Sequence, residues 1–507
     1  MNFKRNFFVI TTALVGALAL TGCDLTGSSK FSHFEFIEEA QDTHENVVGD
    51  GYVKYGNYDT YKVKDSKGEE IDLGSAYEVM RDHGGASHMK SEGEQKMIVV
   101  PVEFSDYKVE KLGITSEVFI ENINKAFFGS AKNNEYVSVG EYYNVSSYGK
   151  LKLDGKVCDK VYTFPLSVSQ IREKKLKRDV LATDYYKKVI EWYKENYDDI
   201  ADYEVEGLKT NKNIPIYMVY TYPSVTETSE DEENFFWAFT FSETPLSWSS
   251  YSFMNLQYGA PDAHTYIHET GHLLGLTDYY PTVAPKNEET VVIEPTSRID
   301  MMDCSIGDQT AFSKMMLNWA RPTYITDSCQ VVPRSFTETG DFILISNNWN
   351  KTVFDEYYLI EFYTPTGLNT YDISVGNSEA KLPKVPGIKI YHVDARLAYF
   401  SGLKTITGYC SDVVVTPGES NIGFAHDNNT YDEPNDYQKN YLYKLILNNN
   451  KDAQTFCAAD QNLFRVGDEI PTLKFNGNNK CEFKISIFAL EFSRAFLKFE
   501  KVQKTTK

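Results

Sequence analysis

The sequence predicts an α+β protein whose last third is a β-rich, sandwich-like module, and three observations carry that expectation. The run Lys96-Met97-Ile98-Val99-Val100-Pro101-Val102-Glu103-Phe104 is continuously apolar at its centre and rich in β-branched side chains, the pattern of a buried strand. Between Asp179 and Tyr197, apolar side chains at Val180, Ala182, Tyr186, Val189, Ile190 and Tyr193 recur at helical spacing, so this stretch predicts an amphipathic helix. Beyond about Pro322 the texture changes to short segments, Phe342–Ile345, Tyr357–Phe362 and Ile388–Val393, separated by Asn, Gly and Pro. The run Ile214 to Tyr222, with Pro215 near its start, adds a second strand to the body that precedes this change.

A chain of 507 residues is too long for one ordinary core, so several domains are expected. The first boundary falls after residue 22. Lys4 and Arg5 form a basic start, and Phe7 to Leu20 is an apolar run too short to span a bilayer comfortably. It ends in Leu20-Thr21-Gly22-Cys23, which resembles the lipobox of bacterial lipoproteins, in which the Cys thiol is acylated after the signal is removed. That resemblance implies a protein held by lipid at the bacterial cell envelope and facing away from the cytoplasm, with Cys23 as the attachment point. Residues 23–91 then read as a tether and candidate prosegment. The polar, Gly/Ser-bearing stretch from Asp24 to Lys30 suits a tether, and Asp82 to His88 looks like a flexible connector. Residues 92–325 form the expected central body, the one that carries the histidine motif, and residues 326–507 the β-rich module.

The net charge of −21 excludes a nucleic-acid binder, because phosphate recognition needs a basic stripe. It equally disfavours a polybasic grip on anionic lipid, which leaves acyl chains as the expected membrane contact. The acidity serves solubility, and calcium binding is the other use it admits. Beyond Cys23 there are six cysteines, Cys158, Cys304, Cys329, Cys410, Cys457 and Cys481, without the paired spacing of a zinc ribbon. Disulfides and buried thiols are both open for them.

The chemistry-bearing stretch is His268-Glu269-Thr270-Gly271-His272-Leu273-Leu274-Gly275-Leu276-Thr277-Asp278. On a helix His268 and His272 lie one turn apart on one face, so both imidazoles can reach one metal ion. Glu269 is rotated by about a hundred degrees from His268, which puts its carboxylate beside the ion, where it can take a proton from a bound water. Neutral imidazole suits zinc, and three protein ligands with one open position is the catalytic arrangement. Gly275 can adopt the left-handed conformation that ends the helix and turns the chain back, making Asp278 the first good ligand on the returning segment. Glu288, Glu289 and Glu294 are the alternative third ligands, disfavoured because Pro281, Pro285 and Pro295 break the helix they would need. His264, a further turn back on the same face, reads as a rim residue more readily than as a fourth ligand, being about 6 Å along the helix. His392 and His426 have no motif context and read as structural or surface residues.

The extended motif with its terminal Asp resembles the metzincins, and within them the immune inhibitor A family of bacterial zinc metallopeptidases. Met97–Asp106 looks like that family's first strand, and Ser138 to Gly155 is similar to its stretch S-x-x-E-Y-Y-x-x-x-S-Y-G-K. Ile299-Asp300-Met301-Met302 looks like its Met-turn, with Met302 at the Met of the D-x-M pattern, where the family has an apolar floor beneath the ligands. Phe312–Trp319 matches a short helix ending in Trp, and Glu356–Glu361 and Gly387–Asp394 resemble the region past the catalytic domain. The resemblance spans about residues 96 to 400 with gaps. It implies a metzincin-like catalytic domain and endopeptidase activity with zinc. Two departures stand out: Glu206 to Asn211 replaces an Asp/Gly-rich run, so a calcium site is not carried over there, and Phe236-Trp237-Ala238 lacks the His of a W-x-H-like motif.

The leading expectation is therefore a zinc-dependent endopeptidase acting on extracellular proteins or peptides, with Glu269 as general base and His268, His272 and Asp278 as ligands. A second class is a catalytically silent surface-binding lipoprotein, an adhesin or solute receptor on the same scaffold. Its expected sign, loss of the triad or of Glu269, is absent from this sequence. A metal-dependent hydrolase of a non-peptide bond also fits the motif.

Overall fold

The computed structural model describes residues 51–84, 87–130, 137–206, 212–224, 235–254, 256, 261–281, 295–303, 305–371, 383–401, 405–412, 421–429, 441–448 and 458–502. They form a mixed α+β structure. The apolar run at residues 96–104 lies within a long strand, Gly93–Phe104, that is the spine of the first sheet. Ile216–Tyr220 lies parallel on one side of it and Leu151–Val157 parallel on the other, while Tyr162–Phe164 continues that second side. Leu246–Ser250 adds a further parallel strand, and Phe239–Thr240 closes the edge in the antiparallel sense.

A largely parallel sheet must be covered on both faces, and it is. On one face Ile98, Val100, Val102, Phe104, Ile216, Met218, Leu246 and Trp248 share a core with Val189 and Tyr193 of the helix Tyr186–Asn196. The expected helix between Asp179 and Tyr197 is therefore present, but its first turn, Leu181–Tyr185, is wound as a π-helix. On the other face Tyr217 meets Phe127 of the helix Ser116–Phe128 at 4.8 Å between ring centroids. Phe127 in turn stacks on Tyr266 of the helix His264–Leu273. The sheet thus sets the height and tilt of the helix that carries the histidine motif.

The last third is β-rich, as expected. Phe342–Ile345, Glu356–Tyr363 and Gly387–Asp394 form an antiparallel run, extended by Tyr443–Ile446 on one side and by Pro322–Ile325 on the other. A three-stranded sheet of Cys329–Val331, Ala495–Lys501 and Phe483–Leu490 shares one core with it. Ile343, Ile345, Ile360 and Ile390 come from the larger sheet, and Ile485, Leu497 and Phe499 from the smaller.

Two features of the N-terminal segment were not visible in its composition. Tyr52–Lys54 is the edge strand of the larger C-terminal sheet, pairing antiparallel with Pro322–Ile325. The expected flexible connector also proves partly wrong. Ser87 and His88 are buried, and Ser87 forms a β-bridge to Leu274. Small and polar residues looked like a linker, yet their value here is that their backbone fits closely against a helix end.

Cys158, Cys329, Cys410 and Cys481 are buried free thiols; Cys304 and Cys457 lie outside the described residues. Cys23 and the rest of the signal-like segment also lie outside them. Among the described residues no helix is long and apolar enough to cross a membrane.

Phe104 sits fully buried among Phe164, Tyr220, Phe236 and Trp248, each within 6.3 Å between ring centroids. Phe104→Ala should cost about 3–5 kcal/mol of stability. Phe492→Ala, at a position 78% exposed, should change it by less than about 0.5 kcal/mol. Denaturant unfolding of the two variants checks the contrast.

Candidate metal centre

The motif helix His264–Leu273 buries Tyr266, Ile267, Thr270, Gly271 and Leu273 and leaves His268 and His272 partly exposed. Tyr143 Oη donates to Ile267 O (2.6 Å), and Tyr266 Oη donates to Ser250 O on the sheet (3.0 Å), so the helix is held from two sides. A β-carbon at Gly271 would run into the sulfur of Met302, which explains a glycine in mid-helix despite its intrinsic cost.

The helix ends as a Schellman motif. Gly275 has φ +102°, its N–H donates to His272 O (3.0 Å), and Leu276 N–H donates to Gly271 O (3.0 Å). The remaining terminal carbonyls are met by the N-terminal segment. His88 N and Met89 N both donate to Leu273 O (2.8 and 3.2 Å), and Ser87 Oγ donates to Leu274 O (3.3 Å).

This reversal brings Asp278 back to the two histidines. Asp278 Oδ1 lies 3.0 Å from His268 Nε2 and 3.3 Å from His272 Nε2. One ligand-type atom from each of the three residues falls within 4.8 Å of the others, and among the described residues this is the one such cluster of metal-ligating side chains. The far sides of the rings are held too. His268 Nδ1 lies 2.8 Å from Met301 O and His272 Nδ1 2.8 Å from Leu276 O. A carbonyl only accepts, so each Nδ1 carries the hydrogen and each Nε2 turns its lone pair inward. Two such nitrogens converging on one carboxylate oxygen require a positive centre, either a proton on the imidazoles or a shared cation. Burial works against charge on all three groups, and their mutual attraction outweighs it. His272 and His268 hold the Asp278 carboxyl well below the ordinary carboxylate range, and Asp278 raises both imidazoles.

Glu269 lies on the neighbouring flank of the helix and is buried. Thr240 Oγ1, on the antiparallel edge strand, lies 3.0 Å from its Oε2 and 2.8 Å from its backbone O. Burial pushes the Glu269 carboxyl up, while the two imidazoles and the Thr240 hydroxyl pull it down.

Beneath the cluster runs the turn at Asp300–Asp303. Met302 is fully buried under Gly271. Met301 O receives the His268 ring, and Met302 O receives Tyr279 N–H (2.9 Å). Asp300 shapes this turn by accepting from Met302 N (2.8 Å), Thr310 N (3.0 Å) and Thr310 Oγ1 (2.5 Å). One turn therefore fixes the orientation of one histidine and the position of the residue after Asp278.

The other candidates fall as follows. His264 is tied to Asp262 (Nδ1 to Oδ1, 3.0 Å) and stands outside the cluster. Glu288, Glu289 and Glu294 lie outside the described residues, as do residues 207–211 of the stretch compared with a calcium-binding run. His392 pairs with Glu356 (2.9 Å) and His426 with Asp394 (3.0 Å), and neither is a member of the cluster. Thr240 and Ser87 were missed from sequence, since a lone hydroxyl carries no spacing signal. A scan against protein-family models finds no match for this chain, and a search of curated proteins finds none either.

Gly275→Ala should lower stability by about 1–3 kcal/mol, because it combines a positive φ with a β-carbon forced into Ser87 Oγ. Thermal unfolding checks this, and Gly56→Ala is the control, with open space around its β-carbon.

Proposed function

We propose that this protein is a zinc-dependent endopeptidase with a metzincin-like catalytic domain related to the immune inhibitor A family, held by lipid at the cell envelope. The observation that carries the proposal is the convergence of His268 Nε2, His272 Nε2 and Asp278 Oδ1 with a buried carboxylate, Glu269, on the same helix. Two neutral imidazoles and one carboxylate form a donor set that suits zinc, and both Nδ1 atoms are already engaged by carbonyls, as ligating histidines need. Zinc held there would supply Lewis-acid activation of a water and of the scissile carbonyl.

The chain's own residues supply the rest. Glu269 accepts the proton of the attacking water and returns it to the departing amine, and burial favours this by raising its basicity. The Thr240 hydroxyl fixes the carboxylate in place. Because Thr240 sits on the sheet's edge strand, an extended peptide could lie along that edge with its carbonyl near Glu269, which favours a peptide as substrate. Met302 provides an apolar floor that excludes water from beneath the helix.

Three experiments test the proposal. Glu269→Gln should reduce casein hydrolysis by about a hundred- to ten-thousandfold with zinc content unchanged, since the residue is a base and not a ligand. Chelator should abolish the wild-type activity and added zinc restore it. Hydrolysis that persists at wild-type rate in zinc-loaded Glu269→Gln sinks the mechanism. For the anchor, Cys23→Ser should move the protein from the membrane fraction to the soluble fraction, because stable attachment takes more than one acyl chain and this thiol would organise them. Retention on membranes after a high-salt wash would exclude Cys23 as the anchor.

A further inference from the structure

The segment that carries Asp278 is held from one side by the motif helix and the turn at Met302, and from the other by the C-terminal β-rich region. Asn428 and Asn429 follow the strand Asn421–Phe424 and precede the strand Tyr443–Ile446, about 150 residues beyond Asp278 in sequence. Asn428 is buried. Its Nδ2 donates to Tyr279 O (3.1 Å) and to Tyr443 O (2.7 Å), and its Oδ1 accepts from Tyr443 N (3.2 Å). With its amide oriented to donate, Asn429 Nδ2 lies 2.9 Å from both Asp278 O and Tyr280 O. Two adjacent asparagines thus satisfy the backbone carbonyls of three consecutive residues, the first of which is the carboxylate of the cluster.

The same strand reaches the turn beneath the cluster. Tyr443 Oη donates to Thr310 Oγ1, and Thr310 bonds Asp300 through both its hydroxyl and its N–H. Asp300 in turn orders Met302, whose carbonyl receives Tyr279 N–H. Leu445 N–H also donates to Pro295 O (2.8 Å), just ahead of that turn. The C-terminal region therefore grips the Asp278 segment directly and through the turn.

We infer that Asn428 and Asn429 are positioning residues for the metal centre, so that the C-terminal region is a working part of the site and not an appended module. The inference rests on the metal-centre reading above. An aspartate segment of only a few residues, with no helix or strand of its own, has no internal means of holding a carboxylate against two imidazoles. The paired amides supply the missing donors.

The test uses the full chain with its metal removed and reloaded with cobalt(II) or zinc alone. Asn429→Asp keeps the size of the side chain but replaces the donor by acceptors facing two carbonyls. It should shift the visible absorption of the cobalt-loaded protein and weaken zinc retention against a chelator by about ten- to a hundredfold, the usual effect of losing a partner behind a ligand. Asn428→Ala should act in the same direction, and Asn429→Ala more weakly than Asn429→Asp. Should Asn429→Asp not fold, Asn429→Ala carries the test. A cobalt spectrum and zinc affinity equal to wild type in the folded variants, even with a lowered melting temperature, overturn the inference. Wild-type protein that binds neither metal fails at the earlier step, the metal centre itself.

Discussion

Two backbone carbonyls govern how the rest of the site must be built. Met301 O and Leu276 O each hold the Nδ1 hydrogen of a histidine, which leaves both Nε2 lone pairs aimed at Asp278. Neither carbonyl belongs to the helix that carries the histidines. Leu276 comes from the reversal after Gly275, and Met301 from a turn some thirty residues further on. The histidine geometry therefore depends on the glycine-ended helix, and that ending depends on close approach of the N-terminal segment at Ser87. Slackening any of these would free an imidazole to rotate, and a rotated imidazole presents the wrong atom.

The clustering of His268, His272 and Asp278 was legible because these residues are local in sequence. His268, Glu269, His272, Gly275 and Asp278 fall within eleven residues, where helical periodicity and one left-handed glycine decide the geometry. The strands at Gly93–Phe104 and Glu356–Tyr363 were equally legible, since continuous β-branched and aromatic runs have few other uses. What could not be read were partnerships between distant segments. Tyr52–Lys54 has no strong strand signature; it becomes a strand because the edge at Pro322–Ile325 offers it hydrogen bonds. Ser87 and His88 looked like linker because composition reports solvent preference and not which backbone groups need partners. Thr240 became visible only once the sheet set its edge strand against Glu269. The π-wound turn at Leu181–Tyr185 likewise lies beyond a pattern that separates helix from strand but not one helix pitch from another.

Charge is also buried where the helix Ala311–Met316 meets the C-terminal β-rich region. Lys314 and Asp308 form a fully buried pair at 2.6 Å, and Lys389 and Glu361 another at 3.0 Å. Glu361 Oε2 also accepts Ala311 N–H (3.0 Å), and Asp308 Oδ1 accepts from Ser146 Oγ (2.6 Å). Such pairs are poor sources of stability, because removing two ions from water offsets most of their attraction. Their effect is directional: Lys314 with Asp308 closes within one segment and Lys389 with Glu361 across neighbouring strands, which leaves the carboxylates to accept across the contact, Glu361 from Ala311 N–H and Asp308 from Thr337 Oγ1 (2.7 Å). The helix Ala311–Met316 carries Lys314 and begins just after Thr310, the residue that bonds Asp300 beneath the cluster. A docking error of one residue would leave both ion pairs closed but strip Glu361 and Asp308 of these cross-contacts, and through Tyr443 and Thr310 it would disturb the Asp300 turn as well. The specificity that these cross-contacts impose is thus transmitted to the carbonyl that orients His268, and the geometry of the cluster follows from how two parts of the chain are made to fit.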